Sequence, residues 1–231
     1  MTLAQQLHEG IAAMDLALPD EAERRLLTYV ELLAKWNRTY NLTAVRDPAD
    51  MVIHHLLDSL ALLPVLENMC RPLGVQPVRL CQEELPAGAG ALSALAGRRL
   101  ADVGSGAGIP GLVLAIARPQ LQVASIEASQ KKAAFQQQAK IELNLNNVSI
   151  HCVRAEAITE TFDAVISRAF ASLADFVRYA GHLAHTLLAM KGMFPAAEIK
   201  ALPPGWRLAA SHEITVPGLD AQRHLLVLEK N

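Results

Sequence analysis

Apolar residues recur at helical spacing along the first third of the chain. Intervals of three and four residues separate the apolar side chains of residues 3–16, and a second stripe of this kind covers residues 18–36. Asp47-Pro48 is typical of an N-cap followed by the first helical position, and it predicts a third helix through about Leu66. The pattern therefore predicts an N-terminal helical extension over residues 1–66.

The composition changes after this helical region. Residues 67–99 are rich in Pro, Gly and Ala, which indicates an irregular or mobile linker. Residues 75–80 are the one part of it that predicts a short strand. We expect the linker to precede a ligand-binding core over residues 100–231, with the whole chain forming one compact unit.

Short apolar runs alternate with helical stretches from Leu100 onward, and this alternation predicts a parallel, doubly wound α/β sheet. Two extended runs near the end, joined by Pro217-Gly218-Leu219-Asp220, predict an antiparallel β-hairpin over 206–216 and 223–229. Together they predict a mostly parallel seven-stranded sheet. The other predicted strands are 100–103, 121–127, 148–153, 162–167 and 186–190, and the predicted helices lie near 112–117, 131–144 and 173–183.

A glycine-rich loop follows the first predicted strand and opens an apolar helix. Glycine suits such a loop because it tolerates positive φ and lets the backbone approach a ligand. Gly106-x-Gly108-x-x-Gly111 fits the dinucleotide fingerprint, whereas Asp102-x-Gly104-x-Gly106-x-Gly108 fits the pattern of S-adenosylmethionine (AdoMet) enzymes. The register favours AdoMet, because Asp102 then lies at the carboxyl end of the strand, where α/β sheets bind ligands. NAD and a ligand-free turn remain alternatives, although a terminal hairpin is typical of methyltransferases.

Composition and charge narrow the class of protein. With 231 residues, 52% of them hydrophobic, the chain can bury one large core. No apolar run approaches the ~20 residues needed to cross a bilayer, and the first residues lack a basic signal region, so we expect a cytoplasmic protein without a membrane partner. A net charge of −2 argues against a generic nucleic-acid binder but permits a local basic site.

Several side chains at predicted strand ends are suited to a nucleoside cofactor. Glu127 ends the second strand, where a carboxylate can accept hydrogen bonds from both ribose hydroxyls. Ala155 and Glu156 follow the third strand and could flank an adenine, although spacing alone is equally consistent with solvated loop residues. Arg168 and Phe170 end the fourth strand, and the guanidinium could bind a carboxylate or a base edge, or form a surface salt bridge.

Basic residues also recur at the ends of the predicted strands. Lys131, Arg154, Arg168, Lys191 and Arg223 all fall at or just after predicted strand ends, so the fold could gather them at one rim as a phosphate-binding patch. The eight histidines and three cysteines lack metal-ligand spacing, which predicts no metal site and no disulfide framework. No G-x-S-x-G nucleophile motif is present.

Five motifs, which follow one another in the order expected for one known family, resemble that family. It is the bacterial small-subunit ribosomal RNA guanine-N7 methyltransferases, also called the glucose-inhibited division protein B family. The resemblance spans nearly the whole chain. The motifs are the glycine loop, Trp36-Asn37-Arg38-Thr39-Tyr40-Asn41-Leu42-Thr43-Ala44-Val45-Arg46, His55-Leu56-Leu57-Asp58-Ser59-Leu60, Ile166-Ser167-Arg168-Ala169-Phe170-Ala171-Ser172 and Arg223-His224-Leu225.

The resemblance implies a Rossmann-like class I methyltransferase that transfers a methyl group from AdoMet to N7 of a guanine in 16S ribosomal RNA, as free rRNA or in the small ribosomal subunit. It implies roles for named residues as well. By matching motif positions, those expected at the cofactor are Gly104, Ile109, Glu127, Ala155, Glu156 and Arg168, and those expected near the RNA and the active site are Lys191 and Arg223. From the loop and the basic strand ends themselves we also expect Gly106 at the cofactor and Lys131 and Arg154 at the RNA. Arg168 and Lys191 are the expected catalytic residues, which would hold the guanine.

Two features depart from the family pattern. The segment 67–99 is longer than the usual connection, and Glu127 stands in place of the more familiar aspartate. A small-molecule methyltransferase, an NAD oxidoreductase and a non-catalytic ribosome-binding module are the alternatives to the function that the family implies.

Overall fold

A computed structural model describes residues 1–19, 21–69, 95–168, 170 and 172–231. The strand predicted at 75–80 and most of the predicted linker lie outside these residues. The helices are α1 (Leu3–Ala13), α2 (Ala22–Tyr40), α3 (Pro48–Met51), α4 (Asp58–Leu60), α5 (Leu63–Met69), α6 (Gly111–Ala117), α7 (Gln130–Glu142), α8 (Leu173–Ala180) and α9 (Ala196–Lys200). The strands are β1 (Arg99–Val103), β2 (Gln122–Ile126), β3 (Val148–His151), β4 (Ala164–Ser167), β5 (Thr186–Lys191), β6 (Trp206–Glu213) and β7 (His224–Lys230).

The seven strands form one sheet in the order β3-β2-β1-β4-β5-β7-β6. Neighbours among β1 to β5 are parallel, whereas β7 runs antiparallel to both β5 and β6. The mostly parallel seven-stranded sheet with a terminal hairpin is therefore confirmed. The order reverses between β1 and β4, and in open α/β sheets such a switch point opens a crevice at the carboxyl ends of the strands.

The N-terminal helices share a hydrophobic core with one face of the sheet. Tyr29 and Trp36 of α2 pack against Phe135 of α7, with ring centroids 6.0 and 5.7 Å apart. A single buried cluster contains these contacts together with α6, while α8 packs in a second cluster on the opposite face. The helical layer therefore contributes to the core that supports the glycine loop.

The apolar stretch Pro48–Met69 is the exception to the expectation that no segment could span a bilayer. It is 22 residues long, with a mean hydropathy of 1.4, and 67% of its most apolar window is buried inside the protein. Its apolar side chains pack in the core shared with α1, α2 and α6, which accounts for this composition. The stretch includes a π-helical segment, Val52–Leu57, and its last helix passes the predicted end at Leu66. Glu67 pairs there with Arg118, whose Nε donates to Oε1 over 2.7 Å.

Other element ends differ from the predictions. Helix α8 ends at Ala180, three residues before the predicted end, and Gly181 is its C-cap, with its N–H donating to the Val177 carbonyl. The sequence did not predict α9, whose five residues are all at least partly exposed and are too few to show a helical repeat of apolar positions.

Candidate functional site

The loop after β1 has the left-handed backbone that its glycines predict. Gly104, Gly106 and Gly108 have φ of 69°, 60° and 86°, a region that side-chain-bearing residues rarely adopt. Gly111 is needed for a different reason, because a Cβ there would lie 2.8 Å from Oδ2 of Asp102. The glycines therefore permit both the shape of the loop and its close packing on β1.

Buried side chains fix this loop from outside. The Tyr29 hydroxyl donates to the Ala107 carbonyl over 2.7 Å, so helix α2 anchors the loop directly. The Gln136 amide donates to Ser105 Oγ and to the Gly106 carbonyl, both over 2.8 Å. Ser125 Oγ closes the network at 2.7 Å from Ser105 Oγ and 2.6 Å from Gln136 Oε1. The loop is thus held in place by α2, α7 and β2.

A cavity of about 340 Å³, the first cavity, opens beside the loop at the carboxyl ends of β1 to β3. Phe170 and Tyr179 form an aromatic wall, with their stacked rings 6.1 Å apart. Five predicted site residues meet here, and they are Gly104, Glu127, Arg154, Ala155 and Glu156.

Glu127 is held firmly at the edge of the first cavity. Its Oε2 accepts a hydrogen bond from the Gly106 N–H and its Oε1 accepts one from the Ser129 N–H, each over 2.8 Å. Each carboxylate oxygen has a further lone pair. Glu127 can therefore accept hydrogen bonds from a ligand without losing its contacts to the loop.

Asp102 lies near the carboxyl end of β1, as the sequence predicts, but its side chain lines neither the first cavity nor the one at the ends of β4 and β5. Its side chain is fully buried, and Oδ2 accepts a hydrogen bond from the Gly111 N–H over 2.8 Å. Burial raises the pKa of Asp102 to about 7, although the Gly111 hydrogen bond and the charge of Arg168 oppose the rise. Asp102 therefore fastens the start of α6 to β1.

A second cavity, of about 470 Å³, lies at the ends of β4 and β5. Arg168, Lys191 and Arg223, three of the predicted basic residues, line it together. Thr43 and Asp58 from the helical layer complete its wall. The second cavity is therefore a basic pocket built jointly by the sheet and the N-terminal helices.

Asp58 bridges two of these cations. Its side chain is 3% exposed, Oδ2 accepts from Arg168 Nη1 over 3.1 Å, and Oδ1 accepts from Arg223 Nε over 2.8 Å. Arg168 Nη1 also donates to the His54 carbonyl of the π-helical segment over 2.9 Å. The side chains of Arg168 and Arg223 remain 31% and 27% exposed, and both line the second cavity. One buried carboxylate thus orients two arginines toward the open space.

His55 lies beside Arg168 in the same wall. Its Nδ1 is 3.4 Å from Arg168 Nη2, and its Nε2 is 3.0 Å from Thr43 Oγ1. Burial, reinforced by the charge of Arg168, lowers the pKa of His55 to about 4. His55 is therefore neutral near pH 7.

Lys191 ends β5 and is paired with Glu198 of α9, whose carboxylate oxygens lie 2.9 and 3.1 Å from Nζ. Nζ also donates to the Phe170 carbonyl over 3.4 Å. Glu198 accepts from the Leu173 N–H as well, which ties α9 to the start of α8. Because Phe170 lines the first cavity and Lys191 lines the second, this contact joins the two.

A cavity beside the glycine loop and a basic cavity therefore adjoin each other at the carboxyl edge of the sheet. Comparison with known proteins shows which family the chain belongs to. The chain matches the family described as rRNA small subunit methyltransferase G over residues 22–73 and 77–226. The chain belongs to this methyltransferase family. The resemblance seen in the sequence is confirmed.

Relatives of this methyltransferase family match over the whole length. The ribosomal RNA small subunit methyltransferase G of Azoarcus sp. strain BH72 is 47% identical over 232 residues, which covers 98% of this chain and 96% of the relative. Its namesake from Neisseria meningitidis serogroup C strain FAM18 is 45% identical over 234 residues and covers 100% of both. Among solved structures, TrmN from Thermus thermophilus has a TM-score of 0.49 and 22% identity, covering 61% of this chain and 47% of that one.

Three predicted site residues of this methyltransferase lie apart from the cavity walls. Ile109 is 5% exposed, with its side chain in the hydrophobic core, and Lys131 is exposed on the first turn of α7. Gly106 acts through its N–H, which contacts Glu127. The basic residues consequently do not form one rim, since Arg154 lies at the first cavity and three others lie at the second.

The sequence did not identify Thr43, His55 or Asp58 as site residues. A signal for them was present in the sequence, because all three lie in motifs that carry the family resemblance. His55 and Asp58 are also three residues apart in the predicted helix, which places them on one face. Among the described residues, no group of three or more His, Cys, Asp or Glu side chains is arranged to hold a metal ion.

Proposed function

We propose that this protein transfers a methyl group from AdoMet to N7 of a guanine in 16S ribosomal RNA. Membership of the rRNA small subunit methyltransferase G family supports the reaction class. The observation that carries the proposal is the junction of the two cavities, where the carbonyl of Phe170 contacts Lys191. A donor in the first cavity and a nucleotide in the second would meet at this junction.

The first cavity suits a nucleoside cofactor. Glu127 can accept hydrogen bonds from ribose hydroxyls, and Gly104 leaves its part of the wall without a side chain. Ala155 and Glu156 are placed to flank an adenine, with Phe170 and Tyr179 supplying aromatic surface. When bound, AdoMet supplies an electrophilic methyl group on a sulfonium. The residues of the first cavity bind and orient the adenosine part of that molecule.

The second cavity suits the acceptor. N7 of guanine carries a free lone pair, so no residue has to remove a proton before attack, and positioning supplies most of the rate. Arg168 and Lys191 hold the O6 edge of the guanine and a neighbouring phosphate, and Arg223 adds a further cation. Action on ribosomal RNA is consistent with the cytoplasmic location that the sequence predicts, and we include that location in the proposal.

A transfer assay with methyl-labelled AdoMet tests this function. We expect label in 16S rRNA or in the small subunit, mapped to N7 of one guanine by chemical cleavage, and none in protein-free or RNA-free controls. Arg168→Ala should lower kcat/KM, whereas an unchanged rate would remove Arg168 from this role. Transfer to a small molecule without RNA, or binding of NAD instead of AdoMet, would refute the proposal, and ribosome binding without transfer would indicate a docking module.

Binding of the RNA should also depend on salt. Each phosphate neutralised by Lys or Arg releases a counterion, so affinity falls as salt rises. A salt-independent affinity would argue against phosphate contacts in the second cavity.

A further inference from the structure

Thr43 lines the second cavity on a loop that other side chains hold rigidly. The Thr43 N–H donates to Asn37 Oδ1, and Asn37 Nδ2 donates to the Val45 carbonyl, each over 3.0 Å. Arg46 Nη1 donates to the Asn37 carbonyl over 3.1 Å. Asn37 is 2% exposed, so the main chain on both sides of Thr43 is fixed to the buried side of α2.

The protons around Thr43 can be assigned from its neighbours. A guanidinium only donates, so Nδ1 of His55, 3.4 Å from Nη2 of Arg168, is an acceptor. Because burial lowers the pKa of His55 to about 4, the ring carries a single proton near pH 7. We assign that proton to Nε2, which then donates to Thr43 Oγ1 over 3.0 Å, because Arg168 Nη2 lies against Nδ1.

Thr43 Oγ1 accepts a second hydrogen bond, from the Val45 N–H over 3.2 Å. A hydroxyl oxygen has two lone pairs and one proton. With both lone pairs occupied by N–H donors, the hydroxyl can act toward a ligand only as a donor.

We infer that the Thr43 hydroxyl donates a hydrogen bond to O6 of the target guanine and so selects guanine over adenine. The inference rests on the proposed function, since it assigns a binding role at the acceptor site. On the edge that carries N7, guanine presents the carbonyl O6 as an acceptor, whereas adenine presents an N6 amino donor. The hydroxyl can therefore donate to O6 of guanine. Facing adenine, it would lie against the N6 amino group, which is also a donor, and no hydrogen bond would form.

A double-mutant cycle between protein and base tests this contact. RNA is prepared with guanine or with 2-aminopurine at the mapped target, because 2-aminopurine keeps N7 and lacks O6. The kcat/KM is measured for wild-type protein, Thr43→Val and Thr43→Ser on both RNAs. For each protein, the kcat/KM on guanine RNA is divided by the kcat/KM on 2-aminopurine RNA, so that general effects of a substitution on folding and RNA binding cancel. The two bases also differ in the nucleophilicity of N7, but this difference is the same for every protein and cancels when the ratios of the proteins are compared.

We expect Thr43→Val to lower the ratio by about 3- to 10-fold, the effect of one neutral hydrogen bond. Thr43→Ser, which keeps the hydroxyl, should retain the wild-type ratio. Thr28→Val removes a hydroxyl that donates only to the Arg24 carbonyl on α2, and it serves as the matched control. An equal loss on both RNAs for Thr43→Val would overturn the inference, and a wild-type protein inactive on guanine would overturn the proposed function instead.

A spectroscopic measurement tests the proton assignment independently of activity. The ¹⁵N chemical shifts of the His55 ring, read in the folded protein at neutral pH, should show Nε2 protonated and Nδ1 unprotonated. Protonation on Nδ1 would make Nε2 the acceptor of the Thr43 proton and would overturn the inference.

Discussion

Asp58 accepts a hydrogen bond from Arg223 Nε over 2.8 Å, although 165 positions separate the two residues. Asp58 belongs to the helical layer, whereas Arg223 immediately precedes β7 at the other end of the chain. The same carboxylate accepts from Arg168 after β4. The helical layer thus positions cations of the sheet, and a purely structural extension would not need this contact.

The first prediction concerns this bridge. Asp58→Asn replaces one acceptor oxygen with an amide and removes the charge that orients both arginines. Hydrogen bonds to charged groups contribute about 1.5–3 kcal/mol, so we expect a loss of about 10- to 100-fold in kcat/KM for rRNA. Steady-state kinetics with labelled AdoMet measure it. Asp50→Asn, at an exposed position of α3, is the control, and equal activity of the two variants would contradict an orienting role.

The second prediction concerns the cofactor cavity. Glu127→Gln leaves one acceptor oxygen and replaces the other with a donor, so a contact to the ribose is lost or the Gly106 or Ser129 bond is broken. We expect AdoMet to bind about 10- to 100-fold more weakly. Calorimetry with AdoMet measures this directly, and exposed Glu142→Gln on α7 is the control. Unchanged affinity would place the ribose elsewhere.

The third prediction concerns the anchor of the glycine loop. Tyr29→Phe removes the hydroxyl that bonds to the Ala107 carbonyl and leaves a buried acceptor without its donor. We expect the free energy of unfolding to fall by about 1–3 kcal/mol, as measured by urea titration. Tyr40→Phe, where the residue is 43% exposed, should change it little. A matching loss in both variants would show that the effect is not specific to the loop.

The fourth prediction concerns pH. Burial raises the pKa of Asp102 from 3.8 to about 7, so between these values the folded state holds a proton that the unfolded state releases. Stability from this group is complete below about pH 4 and is lost as the pH rises through 7. Asp102→Asn should therefore flatten the decline of unfolding free energy between pH 4.5 and about 7.5, in urea titrations at several pH values.

Asp220→Asn, in the exposed β6–β7 connection, is the control for that measurement and should leave the slope as it is. If Asp102→Asn leaves the decline with pH unchanged, Asp102 is ionised in the folded protein over this range and the raised pKa is contradicted.

The sequence predicted those parts of the fold that depend on local pattern. The apolar runs gave the seven strands, and Pro217-Gly218 marked the return of the chain before β7. Helix α9 was not predicted because five residues are too few to show a helical repeat of apolar positions. The π-helical segment was not predicted because a run of apolar residues is compatible with both i→i+4 and i→i+5 hydrogen bonding.

Site residues were predictable where a strand end fixes their position. Glu127 and Arg168 lie where parallel strands end, and the sheet brings them to the crevice. Asp58 and Thr43 come from the helical layer, and how that layer docks on the sheet is set by long-range packing. Lys191 was placed correctly at a strand end, but its pairing with Glu198 depends on the unpredicted α9.

The position of β7 in the sheet has a consequence for the order in which the sheet is completed. It is the last strand of the chain, yet it lies between β5 and β6, and the side chains of Leu225–Leu228 are fully buried. Until residues 224–230 join the sheet, edge strand β6 lacks its neighbour and Asp58 lacks Arg223. The basic second cavity is therefore complete only after β7 has been inserted between β5 and β6.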